Sequence, residues 1–238
     1  MVMVKKNDGS LRMCVDYRRV NATTKFDSFP LLRLDKTLNV FAGSVVFSSL
    51  NLAMTYHQVL LFADDVEQTA FITHLGLFEM ARMPFGLCNA PSTYQRLMSI
   101  GLRGFIGKIC LAYLDDVIVF SKKFSDHIEH LRAVFERIRS ANLKLKPSKC
   151  YLFHDKVIYL GHVINPVGMS PDPSKLRVLL LWPEPTTVRD VQLFLGFINF
   201  YVDYIDNSTT LTGPLYDLTV GRKKHDVVIF KDQHRRLF

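Results

Sequence analysis

Two adjacent carboxylates, Asp115 and Asp116, interrupt the apolar run Ile109-Cys-Leu-Ala-Tyr-Leu-Asp-Asp-Val-Ile-Val-Phe120. Val, Ile and Leu on both sides read as two strands, so the acids fall at the bend of a tight hairpin. An isolated carboxylate costs several kcal/mol to desolvate in an apolar setting. A divalent cation would remove that cost, and Mg²⁺ is commonly held by one or two carboxylates together with substrate phosphates. A solvated turn accommodates the same residues, because Asp favours turns. On these four residues, Tyr113 to Asp116, both readings stand, and the elements around the hairpin must decide.

Those elements alternate between strand and helix patterns. Residues 2–6 and 11–17 alternate around Asn7-Asp8-Gly9-Ser10, a hairpin signature. Val45-Val46-Phe47 begins a strand that turns at Asn51, and residues 68–83 read as two strands around His74-Leu-Gly76. Met83-Pro-Phe-Gly-Leu-Cys-Asn-Ala-Pro91 is loop chemistry that ends with Asn89 as an N-cap and Pro91 in the first turn of a helix reaching towards Leu102. Residues 125–142 predict a second helix, with Ile128, Leu131, Val134, Phe135 and Ile138 on one face. His127 and His130 lie three apart on it. That spacing permits a metal pair, but no third ligand is in view, and surface positions are expected for both. Residues 143–150 alternate Leu and Lys like a strand with a basic outer face, and residues 157–164 predict another strand.

Prolines 171, 173, 183 and 185 mark a change of composition, followed by a helix from Thr187 with Val188, Val191, Leu195 and Ile198 on one stripe. The pattern predicts an α+β domain over residues 1–170 and a mostly helical region over 171–238.

Bulk properties narrow the class. At 48% apolar and 22% charged residues the chain can build a core and is not a disordered polymer. Thirty basic against 22 acidic residues give +8 and favour a polyanionic partner. The excess is concentrated: eight Lys and Arg between Lys122 and Lys149 face three acids, Asp126, Glu129 and Glu136. A phosphate-tracking surface accounts for that better than a merely solvated helix face. Cys14, Cys88, Cys110 and Cys150 lack any metal or redox spacing and read as reduced thiols of an intracellular protein. Early charges (Lys5, Lys6, Asp8, Arg12) argue against a signal peptide, and no apolar run approaches the length of a membrane span.

Five segments then occur in a telling order: Val4-Lys-Lys-Asn-Asp-Gly-Ser-Leu-Arg-Met-Cys-Val-Asp-Tyr-Arg18, Phe47-Ser-Ser-Leu-Asn-Leu52 with Tyr56-His-Gln58, the loop from Met83 to Pro91, Tyr113-Leu-Asp-Asp116, and Leu160-Gly-His162. Together they resemble the reverse transcriptase of gypsy-type long-terminal-repeat retrotransposons. Trp182-Pro, Thr187-x-x-Asp190 and Phe194-Leu-Gly196 are similar to the same family's thumb and connection region. The resemblance implies a right-hand architecture: fingers and a palm with an antiparallel sheet and helices over 1–170, then a helical thumb and the start of a connection. It places the family's ribonuclease H domain outside these 238 residues. The implied reaction is attack of a primer 3′-hydroxyl on the α-phosphate of a deoxynucleoside triphosphate, directed by an RNA or DNA template, with two Mg²⁺ ions. A cytoplasmic or nuclear location follows from the same analogy.

The resemblance also implies roles. Asp115 and Asp116 correspond to metal ligands. Lys6 and Arg12 correspond to cations that grip the triphosphate; as residues alone they are equally ordinary hairpin charges. Tyr56 corresponds to the ring that excludes a ribose 2′-hydroxyl, and Phe85 to a side chain lining the nucleotide pocket, although both aromatics also suit a core. Gly161 corresponds to the hairpin that holds the primer end, and Lys144, Lys146 and Lys149 face nucleic-acid phosphates.

Two positions depart from the family pattern. Asn51 stands where a third metal-binding Asp is usual, and a neutral amide is a poor substitute around Mg²⁺. Thr55 stands where Gly usually precedes the Tyr, and a β-branched residue there is expected to crowd the sugar and stiffen the turn. The expectation is a reverse transcriptase domain by descent with impaired or absent polymerase activity. The alternative is an inactive nucleic-acid-binding remnant or domesticated retroelement product.

Overall fold

The structure, a computed structural model, describes residues 2–5, 9, 11–30 and 38–235, and the chain divides into two compact units. The first comprises Met1–Tyr159 with Ile164–Gly168, and the second Leu160–Val163 with Met169–Phe238.

In chain order the first unit contains β1 (Val2–Lys5), β2 (Leu11–Cys14), α1 (Arg18–Thr23), β3 (Val46–Asn51), α2 (Ala63–Val66), β4 (Phe71–Thr73), β5 (Gly76–Phe78), α3 (Ala90–Gly101), β6 (Cys110–Tyr113), β7 (Asp116–Ser121), α4 (Phe124–Ser140), β8 (Tyr151–His154) and β9 (Val157–Tyr159). The hairpins β1–β2 and β4–β5 form as the alternation predicts. Strands β6, β7, β3 and β8 make an antiparallel sheet in the order β6-β7-β3-β8.

Strand alternation sends Leu50, Ala112, Val117 and Val119 to one face of that sheet, where α3 adds Tyr94 and Met98 and α4 adds Leu131, Val134 and Ile138. Each fully buried aliphatic side chain contributes about 1.5–3 kcal/mol. Register then follows from the pattern, because a one-residue slip of β3 would turn this apolar set outwards. Asn51 and Asp116, at the register end Asn51↔Asp116, fall on the face away from the helices.

Three local expectations change. Residues 143–150 form no strand: Leu145 makes an isolated bridge to Leu52, and Pro147, which has no amide hydrogen, opens a single 3-10 turn through Lys149. Residues 157–164 are not continuous either. Leu160 (φ +50°) and Gly161 (φ +82°) take left-handed backbone and break the run into β9 and β10 (His162–Asn165). His127 is no surface residue. It is fully buried, with Ser48 Oγ 2.7 Å from Nε2 and Ser121 Oγ 2.8 Å from Nδ1. His130 also bonds Ser121, at 2.7 Å, so the pair anchors α4 to β3 and β7 and is not a metal site. Asn89 does occupy the N-cap position of α3, yet its side chain holds the Asp27 amide and the Lys25 carbonyl instead of the helix end.

The remaining elements are β11 (Gly168–Pro171), α5 (Pro173–Leu180), α6 (Val188–Phe200), α7 (Ser208–Asp217) and α8 (Asp232–Arg235). In the second unit Asp172 caps α5 by accepting from the Ser174 amide at 2.9 Å, with Pro173 in the first turn. Thr187 and Asp190 form a reciprocal capping box at the start of α6. The expected stripe, Val188, Val191, Leu195 and Ile198, packs with Phe194, Leu215, Leu218, Val228 and Phe230. Among the described residues no helix is long and apolar enough to cross a membrane.

Candidate functional site

The two acids sit where β6 turns into β7, Asp115 in the bend and Asp116 at the first position of β7. Leu114 takes φ +50° there, a conformation that side chains other than glycine adopt at a cost. What holds it is Gln95, on the buried face of α3 and 1% exposed. Its side-chain carbonyl accepts from the Leu114 amide at 2.8 Å, and its amide donates to the Ala112 carbonyl at 3.0 Å. The other side of the tip is tied to the end of β3, where the Leu52 amide donates to the Asp115 carbonyl at 2.8 Å.

The β3 end is in turn bound to the basic segment. The Lys146 amide donates to the Asn51 carbonyl and the Ala53 amide to the Lys144 carbonyl, each at 2.8 Å. Gln58 completes the weave. Its amide donates to the carbonyls of Ala53 and Lys144, and its carbonyl accepts from the Lys144 amide at 2.7 Å. The result is a cleft of about 570 Å³. Asn51, Thr55, Asp115, Phe85, Lys146 and Lys149 line it, with Met13 from β2 on one side.

Not every expected residue arrives there. Lys144 lines a different groove, along α4 beside Phe135 and Arg139. Tyr56 packs into the core, its ring 5.0 Å from Phe85 and 5.8 Å from Tyr94. Its neighbour His57 lines the cleft instead, edge-on to Phe85 at 5.2 Å. Lys6 lies outside the described residues, and of Arg12 the backbone alone is described. Gly161 belongs to the second unit. Its left-handed φ suits glycine, and a Cβ there would come within 3.3 Å of the Phe200 ring and the Tyr201 hydroxyl.

The half-buried acids are each engaged by a neutral donor. Asn51 Nδ2 donates to Asp116 Oδ1 at 2.7 Å, and Thr55 Oγ1 donates to Asp115 Oδ2 at 3.0 Å. An ionised carboxylate can only accept, which forces the Asn51 amide to present its N–H and not its oxygen. Thr55 reaches Asp115 from φ +35°, directly after Met54 at φ +54°. For a β-branched residue such backbone costs about 1–3 kcal/mol. Burial holds the Asp116 carboxyl above the usual carboxylate range; the Asn51 bond opposes that, the Asp115 charge adds to it, and Lys149 opposes it. Burial also raises the Tyr56 hydroxyl, with a smaller push from the Asp115 charge, and lowers the His57 ring.

The donor set therefore does not fit the two Mg²⁺ ions that the resemblance implies. Tight octahedral ions need anionic oxygens turned to one point, and here a neutral amide replaces the third carboxylate while one oxygen of each remaining acid is taken by a hydrogen-bond donor. Among the described residues no three of His, Cys, Asp and Glu are grouped as a metal cage.

Sequence reasoning missed Gln95, although one signal was present: a polar residue inside the apolar stripe Tyr94, Met98, Leu102. It also missed that the Thr55 hydroxyl reaches an acid, for which no signal exists, since the two positions are 60 residues apart.

Comparison with known proteins agrees with this geometry. The profile of the family described as "Reverse transcriptase (RNA-dependent DNA polymerase)" matches residues 4–164. The retrovirus-related Pol polyprotein from transposon 297 of Drosophila melanogaster is 36% identical over 229 residues, which cover 94% of this chain and 22% of that protein. The corresponding polyprotein from transposon gypsy of the same organism is 36% identical over 210 residues, 88% of this chain and 20% of that one. This chain thus spans about a fifth of the length of the curated relatives it matches. Among solved structures, a foamy viral protease-reverse transcriptase in complex with double-stranded DNA superimposes with a TM-score of 0.89 at 24% identity, covering 99% of this chain and 41% of that one. At that identity the likeness shows the fold, an α+β polymerase fold of the reverse transcriptase type. Dependence on divalent metal ions is general in this family, which makes the poor fit at Asn51 a feature of this chain. From its profile match and its gypsy-type relatives together, the chain belongs to the reverse transcriptase family.

Proposed function

We propose that residues 1–170 are the fingers and palm, and residues 171–238 the thumb and start of the connection, of a retrotransposon RNA-directed DNA polymerase whose activity is impaired or lost in this chain. The observation that carries the reading is the Asn51 Nδ2–Asp116 Oδ1 bond of 2.7 Å, which places a neutral donor where the family pattern has a third carboxylate.

The roles follow the family pattern. Asp115 and Asp116 are the two acids left of the family's ligand set for a pair of Mg²⁺ ions, which they would hold weakly, and Asn51 is the degenerate position. Lys6 and Arg12 grip the triphosphate, Phe85 lines the nucleotide pocket, and Tyr56, packed behind the Phe85 ring, limits the sugar to deoxyribose. Gly161 lets backbone approach a primer end, and Lys146 and Lys149 on the cleft, with Lys144 on the groove along α4, contact phosphates without reading bases. The partners are an RNA or DNA template with its primer, and deoxynucleoside triphosphates. The foamy viral relatives were solved with double-stranded DNA and with an RNA/DNA hybrid, which supports a duplex partner here. The cellular place is the cytoplasm or nucleus, by analogy with the family.

Lys146 and Lys149 on the cleft favour a second reading, a binding module that retains the duplex site without the chemistry. Primer extension on poly(rA)/oligo(dT) with Mg²⁺ tests both. The unmodified protein is expected to bind the duplex in a salt-sensitive way and to extend it weakly or not at all. Processive extension overturns the impairment, and absence of duplex binding overturns both readings.

A further inference from the structure

We infer that Asn51 and Thr55 act together as a pair of neutral hydrogen-bond donors that close Asp115 and Asp116 against divalent cations, so that Thr55 is a positioning residue whose effect an acid at position 51 does not undo. The inference rests on the polymerase reading for its choice of ligand, a divalent cation.

The two donors reach different acids from different backbone. Asn51 ends β3 opposite Asp116 in the β3–β7 register, and its amide approaches Asp116 Oδ1. Thr55 lies four residues on, beyond the Leu52 and Ala53 bonds, and its hydroxyl approaches Asp115 Oδ2. Each donor satisfies one carboxylate oxygen without bringing charge. A cation entering between the acids meets the oxygens left over, Asp115 Oδ1 and Asp116 Oδ2, and must displace both donors before all four oxygens can turn to it.

Thr55 is not free to swing aside. On its N-terminal side the Leu52 amide is bound to the Asp115 carbonyl and the Ala53 amide to the Lys144 carbonyl. On its C-terminal side the His57 amide is bound to the Met54 carbonyl and the Val59 amide to the Tyr56 carbonyl. The left-handed φ values at Met54 and Thr55 are thus fixed from both ends, and they aim the hydroxyl at the acid. Replacing Asn51 by Asp removes one donor and adds an anion, yet leaves Asp115 Oδ2 held as before.

The test is Mn²⁺ binding, followed through the electron paramagnetic resonance signal of the free ion. The proteins are the unmodified chain, N51D, N51D/T55V, N51D/T55G and N51D/T55S, each checked for a cooperative melt. Valine keeps the shape and backbone strain of threonine and removes the hydroxyl; glycine removes both; serine keeps the hydroxyl. N51D/T55V and N51D/T55G are expected to bind Mn²⁺ roughly tenfold more tightly than N51D, the factor that loss of one hydrogen bond to a charged group gives. N51D/T55S is expected to match N51D. Equal affinity of N51D and N51D/T55V overturns the inference, and so does a gain seen with glycine alone, which would trace the effect to backbone strain. Should the valine variant fail to fold, N51D/T55A takes its place, since alanine and serine both keep a Cβ at this left-handed φ and differ only in the hydroxyl: a gain with alanine and none with serine supports the donor pair, and equal gains overturn it. Duplex binding measured on the same proteins keeps the two levels apart. If none binds primer–template, the polymerase reading falls, while the Mn²⁺ series still decides the role of Thr55.

Discussion

Gln95 holds Leu114: a buried side-chain carbonyl on α3 accepts from the amide of a residue 19 positions on, at the bend that carries Asp115. The same side chain donates to the Ala112 carbonyl, so one amide clasps the β6 arm of the hairpin to its bend.

Replacing it leaves a half-buried N–H and a buried C=O without this partner. Gln95→Leu is expected to lower the unfolding free energy by about 2–3 kcal/mol, since each orphaned group costs about 1–3 kcal/mol. Urea unfolding measures it, and a loss below 1 kcal/mol, within the range of ordinary substitutions, would mean that the hairpin does not depend on this clasp.

The His127 ring supplies a dependence on pH. Burial lowers it from the usual 6.5 to about 4, with a further push from the His130 charge, so the folded protein keeps it neutral where the unfolded chain would protonate it. The sign follows from linkage: its contribution is fully present above pH 6.5 and is lost as pH falls from 6.5 towards 4. The whole effect is about 3 kcal/mol at most. Urea midpoints at pH 7.5 and pH 4.5, compared between the unmodified protein and His127→Gln, isolate it. A fall of the same size in both proteins would assign the acid sensitivity to other groups.

Tyr94 offers a substitution in the stabilising direction. It is fully buried, and its hydroxyl has no hydrogen-bond partner among the described residues. Tyr94→Phe removes an unsatisfied polar atom and keeps the ring against Tyr56 and Met98. The expected gain is about 1 kcal/mol, read as a higher denaturation midpoint at unchanged slope.

Lys146 and Lys149 are the described cations on the cleft wall. If they neutralise duplex phosphates, the double variant Lys146→Ala/Lys149→Ala lowers the slope of log K against log salt by about 2, one for each phosphate that no longer meets a lysine. Fluorescence anisotropy over a salt series gives that slope, and an unchanged value would remove these residues from the nucleic-acid path.

Much of this molecule can be read from its residues, for reasons that differ by element. The helix over Phe124–Ser140 is visible because an apolar stripe of five residues repeats at helical spacing, and the capping box of α6 because Thr187 and Asp190 are three apart. The acid hairpin is visible because two β-rich runs flank it. The basic stretch after α4 misleads because Leu and Lys alternate in it, while its amides and carbonyls go to Asn51, Ala53 and Gln58 across 86 residues or more of chain. His127 misleads because a histidine on a helix carries no label for burial; the label is on Ser48 and Ser121, which only the sheet brings near. The Asn51–Asp116 pairing is of the same kind. The departure at position 51 is visible in the chain, but the partner of its amide is set by the β3–β7 register.

The hairpin that carries the acids is supported by an uncharged amide from α3 and a backbone bond from β3. Neither support contains an acid side chain or needs a bound ion. Natural selection can therefore act on folding and on chemistry separately here. A neutral amide at position 51 changes what the acids can hold while leaving both supports of their hairpin in place.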